Sequence, residues 1–201
     1  MDLTRRRAWI FDLDGTLTVA VHDFDAIRAE LELPPGRPIL EALAQLPESQ
    51  AAPRRARLDR LERLERRLAL QGRPAAGAAA LLERLRERGA RLGVLTRNTH
   101  EHACLTLDAC GLGQFFDAAH VLGRDEAPPK PDPAGLRMLL DAFALPASDA
   151  VMVGDYLFDL QAGRAAGTAT VWVDGAGDGR FAEQCDVRVP DLEVLARLLE
   201  G

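Results

Sequence analysis

Four stretches of the chain share one pattern, in which a short apolar run rich in β-branched and aromatic residues ends in a polar residue. They are AWIFDLD (8–14), RLGVLTRN (91–98), AVMVGD (150–155) and TATVWVD (168–174), with a weaker fifth, AAHVLG (118–123). Runs of this kind predict strands buried on both faces. Between and after them the apolar spacing changes to three and four, which predicts helices over 74–89, 99–111, 132–145, 156–167 and 191–200. Gly89, Gly111 and Gly167 stand where helix C-caps are expected. Strand alternating with helix predicts the α/β class, with a parallel sheet.

One segment breaks the rhythm. Residues 19–73 offer no strand and read as helices punctuated by Pro34, Pro35, Pro38, Pro47 and Pro53. We read this segment as a helical insert, leaving 1–18 and 74–201 as the core. In its last part Leu58, Leu61, Leu64 and Leu68 lie three or four apart, giving an apolar stripe with Arg and Glu around it. That stripe predicts a helix packed on its neighbours. It is too short for the sustained heptads of a coiled coil.

At 201 residues, 47% of them apolar, the chain is long enough to bury a proper core. A net charge of −6 argues against a general nucleic-acid binder, because phosphate contacts need a basic surface. The apolar run after Arg5, Arg6 and Arg7 is too brief for a signal-peptide core or a membrane span. Cys104, Cys110 and Cys185 are odd in number and lack a C-x-x-C spacing, which fits small buried hydrophobes in a reducing compartment. The expected setting is cytoplasmic, with neither nucleic acid nor membrane as partner, as a monomer or homodimer.

In a doubly wound sheet, ligands sit beyond the carboxyl ends of the strands, near the switch in strand order. Those ends carry Asp12 and Asp14, then Thr96, then Asp155 and Asp159. The only lysine of the chain, Lys130, lies among Pro128, Pro129, Pro131 and Pro133 in the loop after the weaker strand. Three or more carboxylates brought together repel one another unless a hard cation joins them. Oxygen ligands without histidine or thiolate point to Mg²⁺. Gly15 permits a sharp turn after Asp12 and Asp14, which would leave both acids near one reaction volume. A carboxylate there can act as a nucleophile towards phosphorus, and a second can protonate the leaving oxygen.

The stretches FDLDGTLT, VLTRN, KPDP and GDYLFD occur in the order and approximate spacing of the four motifs of the haloacid dehalogenase (HAD) superfamily, which the chain resembles over essentially its whole length. The resemblance implies a Rossmann-like, doubly wound core with a small all-helical C1 cap after the first strand, in the phosphoglycolate phosphatase-like branch. By the same resemblance Asp12 is the nucleophile, Asp14 the general acid and base, and Thr96 the hydroxyl that binds the phosphoryl group, with Asn98 beside it. Lys130 matches the third motif, where a compact ammonium reaches between nucleophile and phosphoryl oxygen and a broad guanidinium would not fit. Asp155 matches a Mg²⁺ ligand, Asp12 and the main-chain carbonyl of Asp14 complete the protein's share of the shell, and Asp159 supports the metal site or positions the lysine. The implied reaction is Mg²⁺-dependent hydrolysis of a phosphate monoester, on a small phosphorylated metabolite. A phosphosugar mutase of the β-phosphoglucomutase type, or a non-catalytic binding module on the same fold, are the alternatives. Dehalogenases of the superfamily need no acid at the position of Asp14, so Asp14 argues against that chemistry.

Substrate choice is less legible. In VAVHDFDAI (19–27), His22 is a candidate substrate contact, while Asp23 or Asp25 reads as the cap of the next helix. Arg54, Arg55, Arg57 and Arg60 could meet a second anion, but their glutamate neighbours favour a solvated face. His100 and His102 have the wrong spacing for a zinc pair and read as surface or structural residues. Tyr156 replaces the smaller polar residue that relatives often carry after the motif's Asp. The abbreviated insert would leave the site open to larger or macromolecular phosphates.

Overall fold

A computed structural model of the chain describes residues 2–19 and 23–200. Among them six strands form one parallel sheet in the order β3-β2-β1-β4-β5-β6. The strands are β1 (Ala8–Phe11), β2 (Arg91–Leu95), β3 (Val121–Leu122), β4 (Ala150–Gly154), β5 (Ala169–Val173) and β6 (Val187–Val189). The order reverses between β1 and β4, so the doubly wound architecture expected from the alternating pattern is present, and its crevice opens where those two strands end.

Both faces of the sheet are covered, and β1 shows how. Trp9 and Phe11 point into one core with Leu81, Leu82 and Leu85 of α4 (Ala78–Glu87), Leu107 of α5 (His100–Ala109) and Leu195 of α8 (Leu192–Leu198). Ala8 and Ile10 point into the other, with Leu136 and Leu139 of α6 (Ala134–Phe143) and Ala162 of α7 (Leu157–Ala166). A strand that is apolar at every position, as the sequence reads, is what two covered faces require.

Residues after β1 form α1 (Phe24–Glu30), α2 (Ile39–Ala44) and α3 (Ala51–Ala69). These helices share their own apolar cluster, built from Ile27, Leu31, Leu43, Leu61 and Leu64. The chain leaves and re-enters the sheet side by side, with the Val19 N–H donating to the Arg73 carbonyl at 2.9 Å and Ala75 N–H to Leu17 at 2.9 Å. Pro53 does not interrupt α3. It lies in the first turn, where its missing N–H would have had no intrahelical partner.

The predicted ends need small corrections. The helix expected from residue 74 begins at Ala78, because Ala75 is tied to Leu17 and Gly77 adopts a left-handed φ of 78° before the first turn. The weak run 118–123 is a strand only at Val121 and Leu122, following a 3₁₀ turn. Strand β6 was not expected, since Arg188 stands in the middle of its three residues. Gly89, Gly111 and Gly167 have φ of 71°, 68° and 84° at the helix ends, where a Cβ would be strained. The three cysteines are free and half-buried rather than buried, with Cys104 and Cys110 packed on the larger core. Among the described residues no helix is long and apolar enough to cross a membrane.

Candidate active site

The ladder of hydrogen bonds runs just past the strand ends and fixes the backbone that carries the acids. Asp12 N–H donates to the Val153 carbonyl at 2.9 Å, setting Asp12 beside β4, and Thr96 N–H donates to Leu122 at 3.0 Å. The indole of Trp172 donates to the carbonyl of Asp155 at 3.0 Å and pins that backbone from β5. Two glycines make room for the acids. At Gly15 φ is +86°, and a Cβ would stand 2.5 Å from Asp155 Oδ2. At Gly154 a Cβ would meet Asp159 at 2.3 Å.

Lys130 comes into this crevice from the loop before α6, where the Lys130–Pro131 peptide is cis. It is only 1% exposed. Its ammonium lies 2.5 Å from Asp12 Oδ1 and 2.6 Å from Asp159 Oδ1. Asp159 Oδ2 accepts the Tyr156 N–H at 3.0 Å, so both oxygens of this buried acid are engaged. Asp14 is held from the other side, its Oδ2 accepting from Asn98 Nδ2 at 2.6 Å, while Thr96 Oγ1 accepts the Asn98 N–H at 3.2 Å. Helix α5 begins just beyond, its N-cap Thr99 accepting from His102 N–H, so the positive end of a ten-residue helix lies beside Thr96 and Asn98.

Carboxylate oxygens of Asp12, Asp155 and Asp159 all lie within 4.8 Å of one another. Burial, and then the charges of Asp12 and Asp159, push the Asp155 carboxyl up to about 8. Burial raises Asp159 to about 6 against the pull of Lys130. Burial works against the charge of Lys130, but Asp12 and Asp159 outweigh it and hold the ammonium above its ordinary range. The cluster is therefore an anionic site with one fixed cation and room for more positive charge.

Asp12, Asp14, Thr96, Asn98, Lys130, Asp155 and Asp159 all line one cavity of about 510 Å³. Its outer wall comes from the helical insert, including Ile27, Arg28, Ile39, Leu40 and Leu61. His22 lies outside the described residues. Asp23 caps α1, its Oδ1 accepting from Ala26 N–H at 2.9 Å, and Asp25 pairs with Arg28 at 2.5 Å. Arg57 and Arg60 pair with Glu32 and Glu30 at 3.1 Å each, tying α3 to the end of α1, while Arg55 pairs with Asp59 within α3. Tyr156 is 45% exposed and packs edge-on against Phe158 and Phe181.

Two features escape a reading of the sequence. Arg97, between Thr96 and Asn98, donates to the Lys130 carbonyl at 2.5 Å and grips both oxygens of Glu41 on α2 at 2.6 and 2.7 Å, with its guanidinium 4.8 Å over the Phe158 ring. Glu65 of α3 is buried, accepts from Arg124 at 2.8 and 2.9 Å and pairs with His102 at 3.3 Å. An acid within the leucine stripe of α3 was the available signal for the second. His102 thus has a structural role, and His100 likewise meets the Val121 carbonyl at 2.8 Å.

The haloacid dehalogenase-like hydrolase family model matches residues 7–167. The chain belongs to this family. A phosphoglycolate phosphatase from Pseudomonas savastanoi pv. phaseolicola is 34% identical to this hydrolase over 221 aligned residues, covering 96% of this chain and 78% of that one. Pyrophosphatase PpaX from Bacillus velezensis is 38% identical over 92 residues, which span 46% of this chain and 42% of that protein, less than half of its length. Among solved structures, a hydrolase from Pseudomonas syringae superposes with a TM-score of 0.78 over 97% of this chain and 98% of its own, at 24% identity, a likeness of fold.

Proposed function

We propose that this hydrolase cleaves a phosphate monoester through an aspartyl phosphate formed on Asp12, with a bound Mg²⁺. The observation that carries the reading is the buried ammonium of Lys130, held at 2.5 Å from Asp12 and 2.6 Å from Asp159 in the crevice that also holds Thr96 and Asp14. A lysine enclosed among acids at the strand switch point is costly for stability alone, whereas beside a transferring phosphoryl group it stabilises developing charge.

The donor set fits a hard divalent ion. The oxygens offered by Asp12, Asp155 and the Asp14 main chain are carboxylate or carbonyl, and Asp155, raised to about 8, is a group that a nearby dication would return to its ionised form. Asp12 and Asp155 would hold the ion with the carbonyl of Asp14. Asp159, whose two oxygens already serve Lys130 and the Tyr156 N–H, fits better as the residue that positions the lysine. When bound, the ion neutralises charge on the phosphoryl oxygens and lowers repulsion between ester and nucleophile.

A carboxylate oxygen of Asp12 attacks phosphorus as the bond to the ester oxygen breaks. Asp14 gives that oxygen its proton, and the alcohol departs. Lys130 and the Thr96 hydroxyl hold the non-bridging oxygens. Water then attacks the phosphorus, Asp14 takes its proton, phosphate leaves, and Asp12 is regenerated. Asn98 holds Asp14 on the leaving-group side through both stages.

We assign residues 1–18 and 74–201 to the catalytic core and 19–73 to a cap that closes over it, on the strength of the separate apolar cluster of α1–α3 and the paired linkers at 18–19 and 73–75. The substrate is a small phosphorylated metabolite, as the names of the phosphoglycolate phosphatase relatives suggest. The test is phosphate release from a panel of phosphorylated metabolites with and without Mg²⁺, with Asp12→Asn as control. Release that needs both Mg²⁺ and Asp12 is expected; release that survives Asp12→Asn would overturn the assignment.

A further inference from the structure

We infer that Arg97 is a positioning residue that couples the helical insert to the catalytic lysine, so that Lys130 takes its working place only while α2 rests on the core. The catalytic consequence rests on the phosphatase reading. Arg97 stands between Thr96 and Asn98 just past the end of β2, and all three line the cavity. Its guanidinium makes two connections at once. Nη1 donates to the Lys130 main-chain carbonyl at 2.5 Å, and Nη2 donates to both carboxylate oxygens of Glu41 at 2.6 and 2.7 Å. The Phe158 ring backs the group at 4.8 Å. Glu41 belongs to the first turn of α2, whose Ala42 and Leu43 pack into the insert's own apolar cluster. A planar fork can join an acid on one element to a carbonyl on another in fixed directions.

A second route ties the main chain of Arg97 to the insert. Its carbonyl accepts from Arg124 Nη1 at 3.1 Å, and the same guanidinium holds Glu65 of α3 at 2.8 and 2.9 Å. The Arg124 N–H also donates to the Asn98 carbonyl at 2.9 Å. Two insert helices therefore bear on one short segment, which carries Thr96 Oγ1, the Asn98 amide that holds Asp14, and the donor to the Lys130 carbonyl. The two routes differ in kind. The Glu65 and Arg124 side chains are nearly enclosed, whereas those of Arg97 and Glu41 are 22% and 39% exposed. An ion pair that open adds little to stability. What it supplies is direction, because the loop that delivers Lys130 is gripped through a residue whose other hand is on α2. The Lys130 ammonium has to stand 2.5 Å from Asp12 and 2.6 Å from Asp159, and a misplacement of about 1 Å at such a site can cost about 100-fold in rate.

The test is a double-mutant cycle of Glu41→Gln and Arg97→Met. With Mg²⁺ present, kcat and KM are taken on whichever ester of the metabolite panel, p-nitrophenyl phosphate included, is turned over fastest. Glu41→Gln, at a residue that does not itself line the cavity, is expected to lower kcat about tenfold while KM stays within about threefold. Arg97→Met is expected to lower kcat by about 10–100-fold, and adding Glu41→Gln to it should cost less than about twofold more. Thermal midpoints should move by less than about 3 °C, because the pair is half-open to solvent. Amide hydrogen exchange in the peptide covering residues 123–134 reads the same coupling without any substrate. It is expected to quicken in Glu41→Gln, and to quicken no further when that change is added to Arg97→Met. Additive losses in kcat, a kcat loss matched by lost folded protein, or unaltered exchange over 123–134 would each overturn the coupling while the phosphatase reading stands. If the wild-type protein releases phosphate from no ester, the phosphatase reading falls, and the exchange result alone decides the coupling.

Discussion

Replacing Lys130 with Met removes the cation from between Asp12 and Asp159 while leaving a side chain of similar length in the slot. Asp159 is buried and holds its charge only because the ammonium is there. Burial has already lifted it from 3.8 to about 6, and at about 1.4 kcal/mol per pH unit this means its ionised form costs the native state about 3 kcal/mol. Without the ammonium the cheaper course is to take up a proton, which near pH 7 costs about 4 kcal/mol relative to the ionised group in the unfolded chain. Asp159 therefore contributes about 1 kcal/mol to the loss. Because Asp12 loses the same partner, the variant should be about 2–4 kcal/mol less stable at neutral pH. The raised carboxyl penalises the native state only where it would otherwise be ionised, so the gap to the native protein should close as pH falls through about 6. Denaturant titrations in metal-free buffer can follow it through the fluorescence of the buried Trp9 and Trp172. Turnover should fall by about 10²–10³-fold, the usual cost of one lost electrostatic donor. A variant as stable as the native protein at about pH 7.5, or a gap undiminished near pH 5, would refute this account of the cluster.

Glu65 tests the contact between α3 and α5. Burial works to raise its carboxyl, yet His102 and Arg124 hold it below its usual 4.5, so its contribution is present above that value and is lost as pH falls through the lower native value. Glu65→Gln should cost about 2 kcal/mol near pH 7, measured by thermal unfolding, with the difference fading below about pH 4; a pH-independent loss would contradict it. Arg97→Ala frees the carbonyl of Lys130 and the carboxylate of Glu41, and kcat/KM should drop about tenfold to hundredfold through misplacement of the lysine loop and the α2 wall. Unaltered kinetics would deny Arg97 that positioning role. Gly15→Ala places a Cβ 2.5 Å from Asp155 Oδ2 at a φ of +86°, so stability should fall by about 1–2 kcal/mol and Mg²⁺ titration by calorimetry should show weakened binding. Native affinity in that variant would remove Asp155 from the metal shell.

The parallel sheet and the gathering of Asp12, Asp14, Thr96, Lys130, Asp155 and Asp159 could be read from the chain because each depends on local pattern. Fully apolar runs announce doubly buried strands, and strand ends announce the crevice. The helix start at Ala78 was less visible, since it is set by the bond from Ala75 to Leu17, a residue on the far side of the insert in the chain. Strand β6 was hidden because an edge strand tolerates Arg188, which turns its guanidinium to Asp174 at 2.6 Å. Arg97 and Glu41 could not be paired from sequence, because only the folded insert brings α2 over the end of β2. For the same reason the insert's side of the cavity, where Arg28 and Arg37 stand among Ile27, Ile39, Leu40 and Leu61, emerges only in three dimensions.

The central claim is that Asp12 carries the phosphoryl group during turnover. Rapid acid quench under single-turnover conditions, followed by peptide mass spectrometry, measures this directly. The account predicts a transient gain of one phosphoryl group on the peptide containing Asp12, formed and lost at rates that match phosphate release and absent in Asp12→Asn. Phosphate release with no such adduct, or with the adduct on another residue, would contradict it.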